Sequence, residues 1–179
     1  ACPDAEWRLL FALARYGGLR VPSEALQLRW GDIHWGQNRF TVTSSKTEHH
    51  EGHETRQVPI FPELLPHLRE AFEHAEPGAD FCITGYRDKK MNLRTRLLWI
   101  IKRAGLKPWP KLWQNLRSTR ETELADQYPA QVAAAWIGNS VAVAMKHYLQ
   151  VTEDHFKQAA QNAAQKSSEM SGNERKEET

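Results

Sequence analysis

Apolar residues near the start of the chain recur at helical spacing. Trp7, Leu10, Phe11 and Ala14 fall on one face behind Asp4, a residue suited to cap a helix start, so a first helix is expected from Asp4 to Tyr16. Gly17-Gly18 should stop it, and Pro22 can open a second helix with Ser23 and Glu24 in its first turn. Ala25, Leu26 and Leu28 would then pack inward. From Ile33 the period shortens. Ile33-His34-Trp35, a Gly36-Gln37-Asn38 turn and Phe40 to Thr43 read as a hairpin, and Arg56 to Ile60 adds a third strand. Leu64, Leu65, Leu68 and Phe72 mark another helix. Leu93, Leu97, Ile100, Ile101 and Ala104 line one face of a helix from Met91 to Ala104. Further helices are expected over Leu112–Asp126, Ala130–Ile137, Val141–Leu149 and Glu153–Gln165. The fold class is mainly α (α+β), a helical domain with a small three-stranded antiparallel sheet.

Composition adds limits rather than detail. The 179 residues, 40% hydrophobic and 26% charged, describe one globular domain over 1–165 and a polar tail over 166–179 expected to be disordered. No apolar run approaches the ~20 residues of a membrane span, and the first residues lack the basic start of a secretory signal. Two isolated cysteines, Cys2 and Cys82, suit reducing cytoplasm and form no metal or redox motif. The chain does not begin with Met, so it is expected to be part of something longer.

The net charge of +2 is unevenly placed. Between Arg87 and Lys111 stand nine Lys or Arg residues and one acid. Arg87, Lys89, Lys90, Arg94, Arg96, Lys102 and Arg103 read either as a polyanion-binding face or as a solvated helix face. A second cluster, Glu48 to Glu54, holds three histidines and three acids in seven residues. It could ligate a transition metal, but a polar hairpin tip lacks a scaffold to hold ligands, and it is read as a solvated loop with no metal.

Four segments carry chemistry when taken together: Gly18-Leu19-Arg20-Val21-Pro22-Ser23-Glu24, Ser45-Lys46-Thr47, Gln114-Asn115-Leu116-Arg117, and Gly138-Asn139 through Lys146-His147-Tyr148. Their order and setting resemble the tyrosine recombinase (phage integrase) family. That family carries an arginine after a Gly-Leu pair, a lysine on a hairpin, a His-x-x-Arg box, a Leu-Gly-His box and a tyrosine nine residues beyond the last His. Asn139 and Tyr148 keep that separation. The resemblance covers Glu6 to about Ala164.

What the resemblance implies is metal-free phosphodiester transesterification on duplex DNA. Tyr148 would form a 3′-phosphotyrosyl link, Arg20 and Arg117 would clamp the phosphate, Lys46 would protonate the departing 5′ oxygen, and Glu24 would support Arg20. Arginine suits the clamp because its planar fork meets phosphate through two hydrogen bonds and its charge does not titrate. No cofactor is expected. By the same resemblance four protomers would assemble on DNA, the helix near Glu153–Gln165 would dock on a neighbour through Phe156, Ala159, Ala160 and Ala163, and a full-length protein would add an N-terminal DNA-clamping domain.

The chain departs from the family at two positions where histidine is usual, Gln114 and Asn139. Either amide can donate a hydrogen bond to a phosphate oxygen, but neither accepts a proton near neutral pH. Glu24 also follows Arg20 by four residues where the family's acid follows by three. Two other readings therefore stay open: a catalytically degenerate DNA-binding module of the same fold, and a type IB topoisomerase-like activity.

Overall fold

A computed structural model of the chain describes residues 1–44, 55–88 and 90–139. Lys46, Lys89, Tyr148, the Glu48–Glu54 cluster and the helices expected at 141–149 and 153–165 lie outside the described residues.

Helix α1 (Ala5–Arg15) begins where Asp4 accepts the Trp7 backbone N–H at 2.8 Å. Its apolar residues are buried nearly all round: Trp7, Leu9, Leu10, Ala12, Leu13 and Ala14 are each inaccessible to solvent. A helix so enclosed is a core element rather than a surface one. Its few polar residues each hold a neighbour. Arg8 makes two hydrogen bonds to Glu70 of α2 (Leu65–Glu73), and Arg15 two to Glu123 of α4 (Leu112–Gln127). Glu6 accepts the backbone N–H groups of Thr84 and Gly85.

The sheet is antiparallel in the order β1 (Ile33–His34), β2 (Arg39–Thr43), β3 (Thr55–Pro59). Phe40 pairs with Val58 and Val42 with Arg56, so strand alternation puts Arg56 on the same face as three buried apolar side chains. Asn38, in the left-handed region at φ 49°, closes the β1–β2 turn. Helix α3 (Leu93–Arg103) is capped by Asn92, whose side chain accepts the Thr95 N–H. Helix α5 (Ala130–Ile137) packs against β3 and α4.

Three expectations need correction. Pro22 does not start a helix: residues 21–27 form successive turns. Their hydrogen bonds change spacing from step to step: Glu24 and Ala25 both donate to the Arg20 carbonyl, Leu26 to Pro22 and Gln27 to Glu24. Ala25 and Leu28 are nonetheless buried. Phe72, expected inside, is 52% exposed, lying edge-on to Trp30 and Trp35 at the surface. On α3 the buried face narrows to Leu93, Leu97 and Ile101, while Ile100 is half-buried and Ala104 exposed, since the stripe runs past the end of the core.

Candidate functional site

Gly18, at φ +67°, turns the chain after α1 and directs its carbonyl to the Arg117 Nη1 group, which donates to it. A side chain at 18 would also meet Ile137 at the end of α5. That bend brings the Arg20–Glu24 turns beside α4 and the α5 terminus.

Glu24 is the hub. Its side chain is 1% exposed and folds back so that Oε2 accepts the Arg20 backbone N–H at 2.9 Å, while Oε1 pairs with Arg20 Nη1. Arg56 of β3 approaches from the other side with Nη1 at 3.0 Å from Oε1 and Nη2 at 2.7 Å from Oε2. Arg117 Nη1 lies 3.7 Å from Oε2. Burial pushes the Glu24 carboxyl up, but hydrogen bonds and charge from Arg56 and Arg20 outweigh it and hold the group at about 2. The four-residue spacing is no obstacle, because turns rather than helix carry the acid back to Arg20.

Asn139 closes the cluster just past α5. Its Oδ1 accepts from Arg20 Nη2 at 3.3 Å and from Arg117 Nη2 at 3.2 Å, and its Nδ2 lies 3.0 and 2.9 Å from the two oxygens of Glu121. The side-chain nitrogen expected to face phosphate is thus directed at a carboxylate instead. Arg20 Nη2 also donates to the Gly138 carbonyl at 3.3 Å, and Arg56 Nε to the Trp136 carbonyl at 2.9 Å. Burial, then the nearby Arg20 charge, lowers Arg117 to about 10, so it stays protonated at neutral pH. Burial raises Glu121, with Asn139 and Arg117 opposing.

Three guanidinium groups face two carboxylates here, leaving a net positive charge. Arg20 is the most open of the three arginines, with 28% of its side chain exposed against 10% for Arg56 and 9% for Arg117. An arriving anion would therefore meet Arg20 first.

Of the residues singled out from sequence, the structure brings together Arg20, Glu24, Arg117 and Asn139. Gln114 is exposed three residues before Arg117, and its side chain is not part of the cluster. Lys46 and Tyr148 lie outside the described residues. Two members were missed, Arg56 and Glu121. Each had a signal: Arg56 stands two residues before Val58 on the inward face of its strand, and Glu121 follows Arg117 by four on one helix.

Gly138 sits at φ +80°, and a Cβ there would come within 2.9–3.1 Å of the Arg56 side chain. Gly138→Ala should lower unfolding free energy by about 1–3 kcal/mol, from the left-handed backbone and displacement of Arg56 together. Gly138→Asn should not rescue it, because Asn tolerates the backbone but brings the same Cβ. Chemical denaturation checks both; an unchanged Gly138→Asn midpoint would separate backbone strain from contact.

The basic segment divides by environment. Lys90, Arg94, Arg96, Lys102 and Arg103 are exposed. Arg87 turns inward, stacked 3.4 Å from the Phe81 ring centroid and donating to the Leu26 carbonyl. A cleft of about 690 Å³ runs beside the Arg20 turns, lined by Ser23, Gln27, Lys90, Asn92, Arg94 and Trp113 among others. Among the described residues no group of His, Cys, Asp or Glu could hold a metal, and no helix is long and apolar enough to cross a membrane.

Comparison with known proteins finds the same fold. The chain matches the Tn1549 transposon integrase in complex with transposon right end DNA at 15% identity and TM-score 0.67, covering 89% of this chain and 59% of that one. XerA recombinase matches at 16% and 0.65 over 89% and 57%. The catalytic domain of bacteriophage HP1 integrase matches at 19% and 0.59 over 89% and 83%. The chain therefore spans under two thirds of the first two and most of the third. No curated protein sequence matches. The model of the phage integrase family matches residues 1–155. With that match over most of its length, and the arginine cluster in place, the chain belongs to the phage integrase family.

Proposed function

We propose that the chain is the catalytic domain of a site-specific DNA recombinase that cuts and rejoins duplex DNA through Tyr148. The observation that carries this is the convergence of Arg20 and Arg117, 97 positions apart in sequence, on one oxygen of Asn139. Asn139 stands nine residues before the tyrosine. In the reaction, the Tyr148 oxygen attacks phosphorus and the bond to the 5′ oxygen breaks. Lys46 supplies the proton to that oxygen, and the phenol proton passes to solvent. A 5′ hydroxyl from a partner duplex then reverses the step, and four protomers on DNA carry out the exchange. Arg20 and Arg117 hold the charge that builds on the non-bridging oxygens, a role worth a few kcal/mol for each well-placed donor.

The test is a nicked duplex bearing a site that flanks the encoding gene. Cleavage should leave a covalent adduct stable on a denaturing gel, with the nucleotide mapping to the peptide that contains Tyr148. DNA binding without any adduct would instead support the degenerate binding module, which the two amides at 114 and 139 favour.

The exposed arginines carry the DNA affinity in this reading. Replacing Arg94 and Arg96 together should reduce the slope of log K against log[salt] by roughly 1–2 units. Arg87→Ala should leave the slope nearly unchanged, since that side chain faces Phe81 and Leu26. Anisotropy titrations of a labelled duplex across KCl concentrations measure both, and the reverse order of effects would place the DNA face elsewhere.

A further inference from the structure

The departure at Asn139 has a partner. We infer that Glu121 is a positioning residue that fixes the Asn139 amide, so that its oxygen faces Arg20 and Arg117 and holds the two clamps at one separation. The consequence for cleavage rests on the function proposed above; the geometry does not.

Both guanidinium groups can only donate, and an ionised carboxylate can only accept. Asn139 lies between the two, with Oδ1 at 3.3 and 3.2 Å from the arginines and Nδ2 at 3.0 and 2.9 Å from Glu121. Turning the amide over would set N–H groups against N–H groups on one side and oxygen against oxygen on the other. All four contacts would become repulsive together. Glu121 therefore specifies one orientation, at a site where it is itself 1% exposed. An unpaired buried carboxylate would be costly, and Asn139 supplies the hydrogen bond that accommodates it. The two residues explain each other: an amide in this place needs an acceptor behind it, and an acid mid-helix on a buried face needs a donor.

The charged groups around Glu121 are Arg20 from the turns and Arg117 from its own helix; Glu24 lies against both of those arginines, and Arg56 pairs with Glu24. Protonating Glu121 adds a donor on its side and removes the carboxylate half of the bar to inversion, leaving only the arginine half. The orientation should thus loosen as pH falls through the Glu121 titration, which burial raises from the carboxyl's ordinary value.

Side-chain amide NMR of the ¹⁵N-labelled full chain tests the inference without DNA. The Asn139 NH₂ pair, assigned by its loss in Asn139→Ala, should exchange slowly and shift with one titration that disappears in Glu121→Gln. Single-turnover cleavage of the nicked duplex is the second arm. Glu121→Gln keeps an acceptor and should cleave within about threefold of wild type, whereas Glu121→Ala should lose about 10- to 30-fold in the cleavage step with duplex affinity little changed. Asn139 resonances indifferent to Glu121→Gln across pH would overturn the inference. So would a Glu121→Ala loss lying wholly in DNA affinity. If Glu121→Ala fails to fold, the Glu121→Gln spectra decide. If wild type forms no adduct at all, the proposed function fails and the spectra still judge the positioning role.

Discussion

Tyr148→Phe should form no covalent adduct with a nicked duplex, while binding that duplex within about threefold of wild type. The change removes one oxygen and keeps the ring and the net charge, so only the proposed nucleophile is lost. A phenol of pKa about 10 is mostly protonated at neutral pH, and neither Gln114 nor Asn139 can take its proton. Wild-type single-turnover cleavage should therefore keep rising from pH 7 to 9 as the phenolate fraction grows. An adduct with the Phe variant would assign the chemistry to another residue, and a plateau near pH 6 to 7 would mean that an imidazole serves as base.

Glu24→Gln should destabilise the fold by about 3 kcal/mol at pH 7, the order of magnitude implied by moving a carboxyl from 4.5 to about 2. The folded-state value lies below the unfolded one, so the contribution is complete above about 4.5 and fades as pH falls toward about 2. Wild type and variant should accordingly converge in acid. Glu24→Ala should cost more, about 3–5 kcal/mol, because Arg56 and Arg117 would be left buried without their counter-charge. Denaturant midpoints measured from pH 7 down to pH 2.5 give the comparison. A gap between wild type and Glu24→Gln that stays constant with pH would mean that the carboxylate charge is not what holds the arginines.

The parts of the fold that sequence made legible are those where apolar spacing and local caps agree. Asp4 capping α1 and the Ala130–Ile137 helix fall where periodicity and turn residues put them. The Pro22 helix failed because Glu24, which looks like a first-turn acid, is required inside. Its carboxylate bonds three arginine side chains or backbone groups drawn from the turns and β3, and no local rule reports on partners 32 residues away. The site was legible in Arg20, Arg117 and Asn139 because those follow a family spacing. Arg56 and Glu121 were not, since charge on an inward face reads as solvent-facing until its counter-charge is known. Helix α4 shows the difficulty most plainly: Arg117, Arg120 and Glu121 share its buried face with Leu116 and Leu124, which flattens the apolar period.

The clamp is also spread along the chain in a way that bears on its synthesis. Glu24 can meet Arg20 as soon as the first turns form and Arg56 once β3 has paired, but Arg117 and Glu121 come from the middle of α4 and Asn139 from beyond α5. A polypeptide still emerging from the ribosome and ending before residue 139 has the acidic hub without the crosspiece that spaces the two guanidinium groups. On the function proposed above, Arg20 and Arg117 then share no acceptor until residue 139 has been made, so the anion site is completed only late in synthesis.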